Sequence, residues 1–144
     1  MGSNGITCKK IGVDMKYEKS CGSIVISDDK VLLVKHNAGH WDFPKGHVED
    51  NETEEETAIR EVKEETNIDI KINSNYRYIS TYSPKEGVTK DVIYFLGKPI
   101  NYNLKAQEQE VSEVEFISLD EAIDKITYDN SKKILKQLIK DLNF

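Results

Sequence analysis

Gly46-His47-Val48-Glu49-Asp50-Asn51-Glu52-Thr53-Glu54-Glu55-Glu56-Thr57-Ala58-Ile59-Arg60-Glu61-Val62-Lys63-Glu64-Glu65-Thr66-Asn67-Ile68 is the stretch that decides the reading of this chain. Nine carboxylates stand between Glu49 and Glu65, and only Arg60 and Lys63 oppose them. A Glu-rich helix is ordinarily a solvated face, but three features set this one apart. Glu61, Glu64 and Glu65 fall at i, i+3 and i+4, so a helix places them on one side. Three like charges that close cost stability unless a cation neutralises them, and carboxylates are the hard oxygen donors that Mg²⁺ prefers. Glu52 lies within reach of Arg60, which could brace the cluster from behind. Phe43-Pro44-Lys45-Gly46-His47 leads into the helix. Gly46 there permits a backbone conformation closed to other residues, and its carbonyl is a further candidate metal ligand.

The helix is expected over Glu52–Thr66. Thr53 followed by Glu56 is a capping box, and Ala58, Ile59 and Val62 form a narrow apolar stripe. Upstream, 20–26 and 31–35 read as the arms of a hairpin turning at 27–30, and 36–44 is a loop. Downstream, 68–72 and 76–82 alternate as two strands, and Lys85-Glu86-Gly87 turns. Residues 91–96 are apolar enough for a central strand, and 114–117 is a short one. Ser118 with Glu121 opens a helix to about Ile126 with a second capping box. Asp129 caps a last helix whose Ile134, Leu135, Leu138, Ile139 and Leu142 recur at helical spacing. The order strands, helix, strands, helices is a mixed α/β domain with helices packed on a sheet.

The whole chain has 144 residues, enough for one domain with a real core. Its 20 basic and 26 acidic residues leave a net charge of −6. That balance argues against nonspecific binding to duplex nucleic acid, which needs many Lys and Arg contacts to phosphate. The apolar runs 31–34 and 92–96 are strand-sized, far short of the roughly 20 residues that cross a bilayer. Met1-Gly2-Ser3-Asn4 has no apolar leader pattern, and Cys8 and Cys21 suggest neither a zinc site nor a disulfide framework. A cytoplasmic protein without a membrane partner is expected. Residues 1–14 read as an extension, vector-derived or from an alternative start, ahead of a single domain over 15–144.

Gly46, five residues, Glu52, seven residues, then Arg60-Glu61-Val62-Lys63-Glu64-Glu65-Thr66-Asn67-Ile68 resembles the Nudix box. The box differs only at Asn67, where the family has Gly. Asn tolerates the left-handed conformation needed at a helix C-terminus. The resemblance implies a Nudix fold, an α/β/α sandwich with a mixed sheet between helices. It implies Mg²⁺-dependent hydrolysis, with Mn²⁺ a possible substitute, of a nucleoside diphosphate linked to something else. Carried over, Glu61 and Glu65 bind metal, Glu64 is the catalytic base or a further ligand, and Arg60 with Glu52 braces them.

The flanks narrow the substrate. His40-Trp41-Asp42-Phe43-Pro44-Lys45-Gly46-His47-Val48-Glu49 resembles the segment that opens the box in asymmetric diadenosine tetraphosphate hydrolases. The likeness runs from about 18 to 140 and loosens after 80. In that subfamily two aromatic rings hold an adenine, while a His and two Lys hold the polyphosphate. The matching positions are Tyr82 and Tyr128, then His40, Lys45 and Lys90. Tyr76 and Tyr78 compete with Tyr82. Glu110 would complete the metal site or act as base, with Glu108 its competitor. Trp41 reads as a packing residue, and His36 has no assigned role.

The leading expectation is therefore a monomer that cleaves diadenosine tetraphosphate to ATP and AMP. The same machinery could instead act on an oxidised nucleoside triphosphate, the 5′-triphosphate end of RNA or a diphosphoinositol polyphosphate. Dispersed Lys and Arg count against the last. A non-catalytic nucleotide-binding module is the third reading, and the intact Arg60-Glu61 and Glu64-Glu65 pairs count against it.

Overall fold

A computed structural model describes residues 8–10 and 13–143, with side chains described from Met15 to Asn143. Most of the expected extension, residues 1–7, 11 and 12, lies outside the described residues. Its described part is a short strand, β1 (Cys8–Lys10), paired with the start of β2 (Val13–Ser27). Regular pairing thus begins before the expected domain boundary at residue 15.

β3 is Lys30–His36, β4 Trp41–Asp42, β5 Lys45–His47, β6 Ile70–Tyr82, β7 Val88–Pro99 and β8 Val111–Ser118. β2 runs parallel to β7 from Lys16↔Val88 to Val25↔Gly97, and antiparallel to β5 at Ser20–Gly22. β6 closes that side antiparallel to β7. β3 meets β2 only at the tip of their hairpin, then pairs with β8 and β4. The sheet is mixed, and helices cover both of its faces, as expected.

The apolar runs explain the layering, because successive strand residues point to opposite faces. Ile24, Val31, Leu33, Val92 and Tyr94 face one way, into a core with Ile134, Leu135 and Leu138 of α3 (Asp129–Asp141) and Leu119 and Ala122 of α2 (Leu119–Lys125). Cys21, Ile93 and Phe95 face the other way, beneath Ala58 of α1 (Glu54–Thr66), and Val25 and Leu32 pack under its Val62. Strands buried on both faces read as continuous hydrophobic runs.

α1 begins at Glu54, two residues later than expected, because Thr53 is the N-cap. Its capping box is complete: Glu56 N–H donates to Thr53 Oγ1 at 3.1 Å, and Thr53 N–H donates to Glu56 Oε1 at 2.8 Å. Such a cap contributes about 1 kcal/mol. Ile59 is not part of the buried stripe; it is 40% exposed, and the buried face carries Thr57, Ala58, Glu61, Val62, Glu65 and Thr66. The two strands expected over 68–82 are one, with a register shift between Asn73 and Arg77 that a break in alternation imitates. At α2 the box is only half formed. Glu121 N–H donates to Ser118 Oγ, while the Glu121 carboxylate accepts from that hydroxyl rather than from the backbone of Ser118, which still belongs to β8. Asp129 is the first residue of α3 rather than its cap; Tyr128 holds that place with no side-chain cap.

Leu135 is fully buried between α3 and the sheet. Leu135→Ala is expected to lower stability by about 2–5 kcal/mol through lost burial and a residual cavity. A denaturant titration followed by far-UV circular dichroism measures this directly.

Candidate active site

Arg60 organises the acidic end of α1. Its Nε donates to Glu52 Oε2 at 2.6 Å and one terminal nitrogen to Glu52 Oε1 at 2.9 Å, a two-pronged grip on a single carboxylate. Its other terminal nitrogen donates to Glu61 Oε2 at 2.7 Å and Glu64 Oε1 at 3.2 Å. It also donates to the backbone carbonyl of His47 at 3.0 Å, tying β5 to the helix. Glu52 lies outside the helix, yet the pairing with Arg60 expected from the sequence is present. Thr57 Oγ1 adds a bond to Glu52 at 2.9 Å. The guanidinium holds Glu52 far below the ordinary carboxylate range, at about 2. Forked Arg–carboxylate pairs fix orientation as well as charge.

Gly46 earns its place through clearance, not through its dihedral angles, which are not in the left-handed region. A Cβ there would sit 2.0 Å from Cδ of Glu61. Only a residue without a side chain lets β5 run this close to the helix face.

Glu65 is 4% exposed and takes a backbone N–H from Lys45 at 3.3 Å. Burial, then the neighbouring Glu61 charge, push it up to about 8. Burial also raises Glu61. Glu64, at the same end of the helix, has a side chain 56% exposed. Glu110 lines the same cleft, of about 680 Å³, as Glu61, Glu64 and Glu65, whereas Glu108 does not. Among the described residues, no three His, Cys, Asp or Glu side chains stand ready-made as a metal cage. Glu61 and Glu64 are instead turned onto Arg60. The chemistry of the set nonetheless fits a divalent cation: hard oxygens around one cleft, with two carboxylates, Glu61 and Glu65, whose pKa burial raises and which a cation would return to the ionised form.

His40, Lys45, Gly46, Lys90 and Tyr128 line this cleft too. Burial, then the charge of Lys45, lowers the pKa of Lys90. The His40 ring lies 5.7 Å from that of Tyr128 and 6.5 Å from that of His36. A second cleft, of about 510 Å³, is lined by Tyr82, Tyr128, Asp42, Lys45, Ser80 and Ser131 among others. Tyr82 and Tyr128 are its exposed aromatics. Tyr76 and Tyr78 pack instead against the core, and Tyr78 Oη donates to Asp141 at 2.6 Å. Trp41 packs partly buried, with Lys125 Nζ 4.6 Å from its ring centre. His36 and Asp42 were missed by sequence reasoning. His36 ends β3 and lines the carboxylate cleft, and Asp42 ends the paired β4 and lines the tyrosine cleft.

The NUDIX domain model matches residues 16–138. The chain belongs to the Nudix family. It is 30% identical over 135 residues to the asymmetrical bis(5′-nucleosyl)-tetraphosphatase of Mus musculus, covering 83% of this chain and 91% of that protein. It is 50% identical to the 8-oxo-dGTP diphosphatase of Proteus vulgaris, but over only 38 residues, 26% of this chain and 34% of the other. The crystal structure of a C. elegans Ap4A hydrolase binary complex superposes with a TM-score of 0.78 at 28% identity, covering 88% of this chain and 98% of that one. The chain is thus a Nudix hydrolase related to the asymmetrical tetraphosphatases, in a family that uses divalent metal ions. No described helix is long and apolar enough to cross a membrane.

Gly46→Ala is expected to displace the Glu61 carboxylate and cut turnover by about a hundredfold, the scale of a misplacement near 1 Å at a reacting centre. Turnover under saturating divalent metal, alongside a circular dichroism spectrum matching that of the parent, tests this.

Proposed function

We propose that this Nudix hydrolase cleaves diadenosine tetraphosphate, with water, to ATP and AMP. One observation carries the reading: the carboxylate cleft and the tyrosine cleft share Lys45 and Tyr128 as walls. One ligand can therefore lay its phosphates over Lys45, Lys90 and His40 while placing a base between Tyr82 and Tyr128. Stacking on aromatic rings contributes about 1–3 kcal/mol per base, and Lys serves as a point charge for phosphate.

Glu61, Glu65 and Glu110, with the Gly46 carbonyl, would hold Mg²⁺, or Mn²⁺ in its place. When bound, the ion would offset the charge of the phosphates. Glu64 would take the proton of the attacking water. The water oxygen forms a bond to phosphorus, and the bridging P–O bond breaks toward the departing ATP. Arg60, anchored by Glu52, keeps the carboxylates in place throughout. The protein acts as a cytoplasmic monomer on a small nucleotide and needs no duplex nucleic acid.

An oxidised nucleoside triphosphate is the second reading, favoured by the relative that matches over 38 residues. That match covers 26% of this chain, and a second relative named for the same substrate class matches 69% of this chain but only 30% of its own length. The tetraphosphatase match covers 83% of this chain and 91% of that protein, which supports the dinucleotide reading.

The test is a substrate panel with Mg²⁺, resolved by anion exchange: diadenosine tetraphosphate, 8-oxo-dGTP and a triphosphate-ended RNA. Rapid formation of ATP and AMP in equal amounts is expected. Two ADP, or preference for another substrate, would overturn the assignment. Tyr82→Ala and Tyr128→Ala are each expected to raise KM by about tenfold or more through lost stacking. Glu64→Gln is expected to lower kcat by about 10²–10⁴-fold, the range for losing a positioned base.

A further inference from the structure

Asn67 is the one position where the box departs from the family pattern. Its backbone explains why Asn is tolerated: φ is 66° and ψ is 11°, the left-handed C-cap of α1. Its side chain does something glycine cannot. Asn67 Nδ2 donates to the carbonyl of Asn103 at 2.8 Å. Beside that bond, Lys105 N–H donates to the Thr66 carbonyl at 3.0 Å and Gln107 N–H to the Glu65 carbonyl at 3.3 Å. Carbonyls in the last turn of a helix have no partner within it, so the chain after β7 is docked on the C-terminal end of α1.

The same segment is gripped at its far end. Asn37 Nδ2 donates to the carbonyls of Gln109 at 2.9 Å and Glu108 at 3.3 Å, and Asn37 N–H donates to the carbonyl of Glu110 at 3.0 Å. Asn101 and Tyr102 fasten only the entry, to Asp69 and Ser27. Beyond them, residues 103–110 form no strand or helix, and Leu104 is exposed. Apolar burial contributes little to placing residues 103–109, so hydrogen bonds place that stretch, and Glu110 stands where it meets the buried Val111 that opens β8.

We propose that Asn67 and Asn37 are positioning residues: they clamp the 103–110 segment from opposite ends and so hold Glu110 against the Glu61 and Glu65 face of α1. The inference rests on the proposed role of Glu110 in the site. It predicts that the family's own residue is the wrong one in this chain.

The decisive variant is Asn67→Gly, which keeps the left-handed cap and removes only the donor; Asn37→Ala removes the other grip. Asn67→Gly is expected to lower kcat about five- to tenfold, the worth of one hydrogen bond expressed at the reacting centre. KM should stay within about twofold of its parent value, because the base and phosphate contacts lie elsewhere. Faster amide exchange at Lys105 and Gln107 and weaker Mn²⁺ binding should accompany it, with Asn37→Ala behaving likewise. In a Glu110→Gln background, Asn67→Gly should produce no further loss of kcat, since residues acting through one group are non-additive. Unchanged exchange and Mn²⁺ affinity in both asparagine variants, or a full additional loss in that background, would overturn the proposal. So would a Glu110→Gln protein with parental Mn²⁺ affinity. The exchange and Mn²⁺ measurements need no nucleotide, so they decide the clamp even if diadenosine tetraphosphate proves not to be the substrate.

Discussion

Everything in this site depends on keeping several carboxylates together at the end of one helix. Glu61, Glu64 and Glu65 repel one another, and Glu65 is almost wholly buried. Without opposing charge such a group would neutralise itself by protonation or open the helix end. Arg60 supplies that charge to Glu61 and Glu64, whereas Glu65, which it does not touch, is pushed up to about 8 by burial and then by the Glu61 charge. It reaches Glu61 and Glu64 with one nitrogen while Glu52 grips it from outside the helix. The pair is partly buried and doubly bonded, unlike the exposed ion pairs that contribute little.

That constraint passes into the backbone. β5 runs against the carboxylate face, presenting Lys45 and letting its His47 carbonyl accept from Arg60, so any side chain at residue 46 would displace the Glu61 carboxylate. β5 in turn pairs with β2 at Ser20–Gly22. The central β2–β7 pair therefore carries the acidic helix on one face, through Cys21, Ile93 and Phe95. On the other face, Val92 and Tyr94 reach toward α3, whose preceding residue, Tyr128, walls both clefts. The metal-binding and base-binding candidates are positioned from opposite faces of one strand pair.

A second layer of positioning lies in segments with little regular structure. The 36–40 turn and the 103–110 segment hold each other through Asn37, and the latter rests on α1 through Asn67 and the carbonyls beside it. His40 and Glu110 arrive at the cleft on these segments. Their placement depends on a few hydrogen bonds, where that of Glu61 and Glu65 depends on a packed helix. Local opening is expected to be easier in such places, where few apolar contacts resist it.

The sequence by itself determined the fold class, the acidic helix with its Thr53 cap, the pairing of Arg60 with Glu52 and the left-handed Asn67. The cap and the acidic face follow from spacing along one helix, where geometry leaves little freedom; the fold class follows from the order of elements, and the Asn67 conformation from the Gly that the resembling family has there. The continuous apolar run at 92–96 likewise marked a central strand. What local pattern misjudged was the continuity of β6, because a register shift breaks its alternation, and the first residue of α3, because Asp129 has the chemistry of a cap without its position. The reason for Gly46 was also beyond it, since the obstacle is a side chain 15 positions away. Only the tertiary structure decided that Tyr82 rather than Tyr76 or Tyr78 lines the cleft beside Tyr128, that Glu110 rather than Glu108 shares the cleft of the carboxylates, and that His36 lines the latter and Asp42 the former. Those choices depend on register and on which loops touch, and contacts between distant segments are set by packing that no short window of sequence contains.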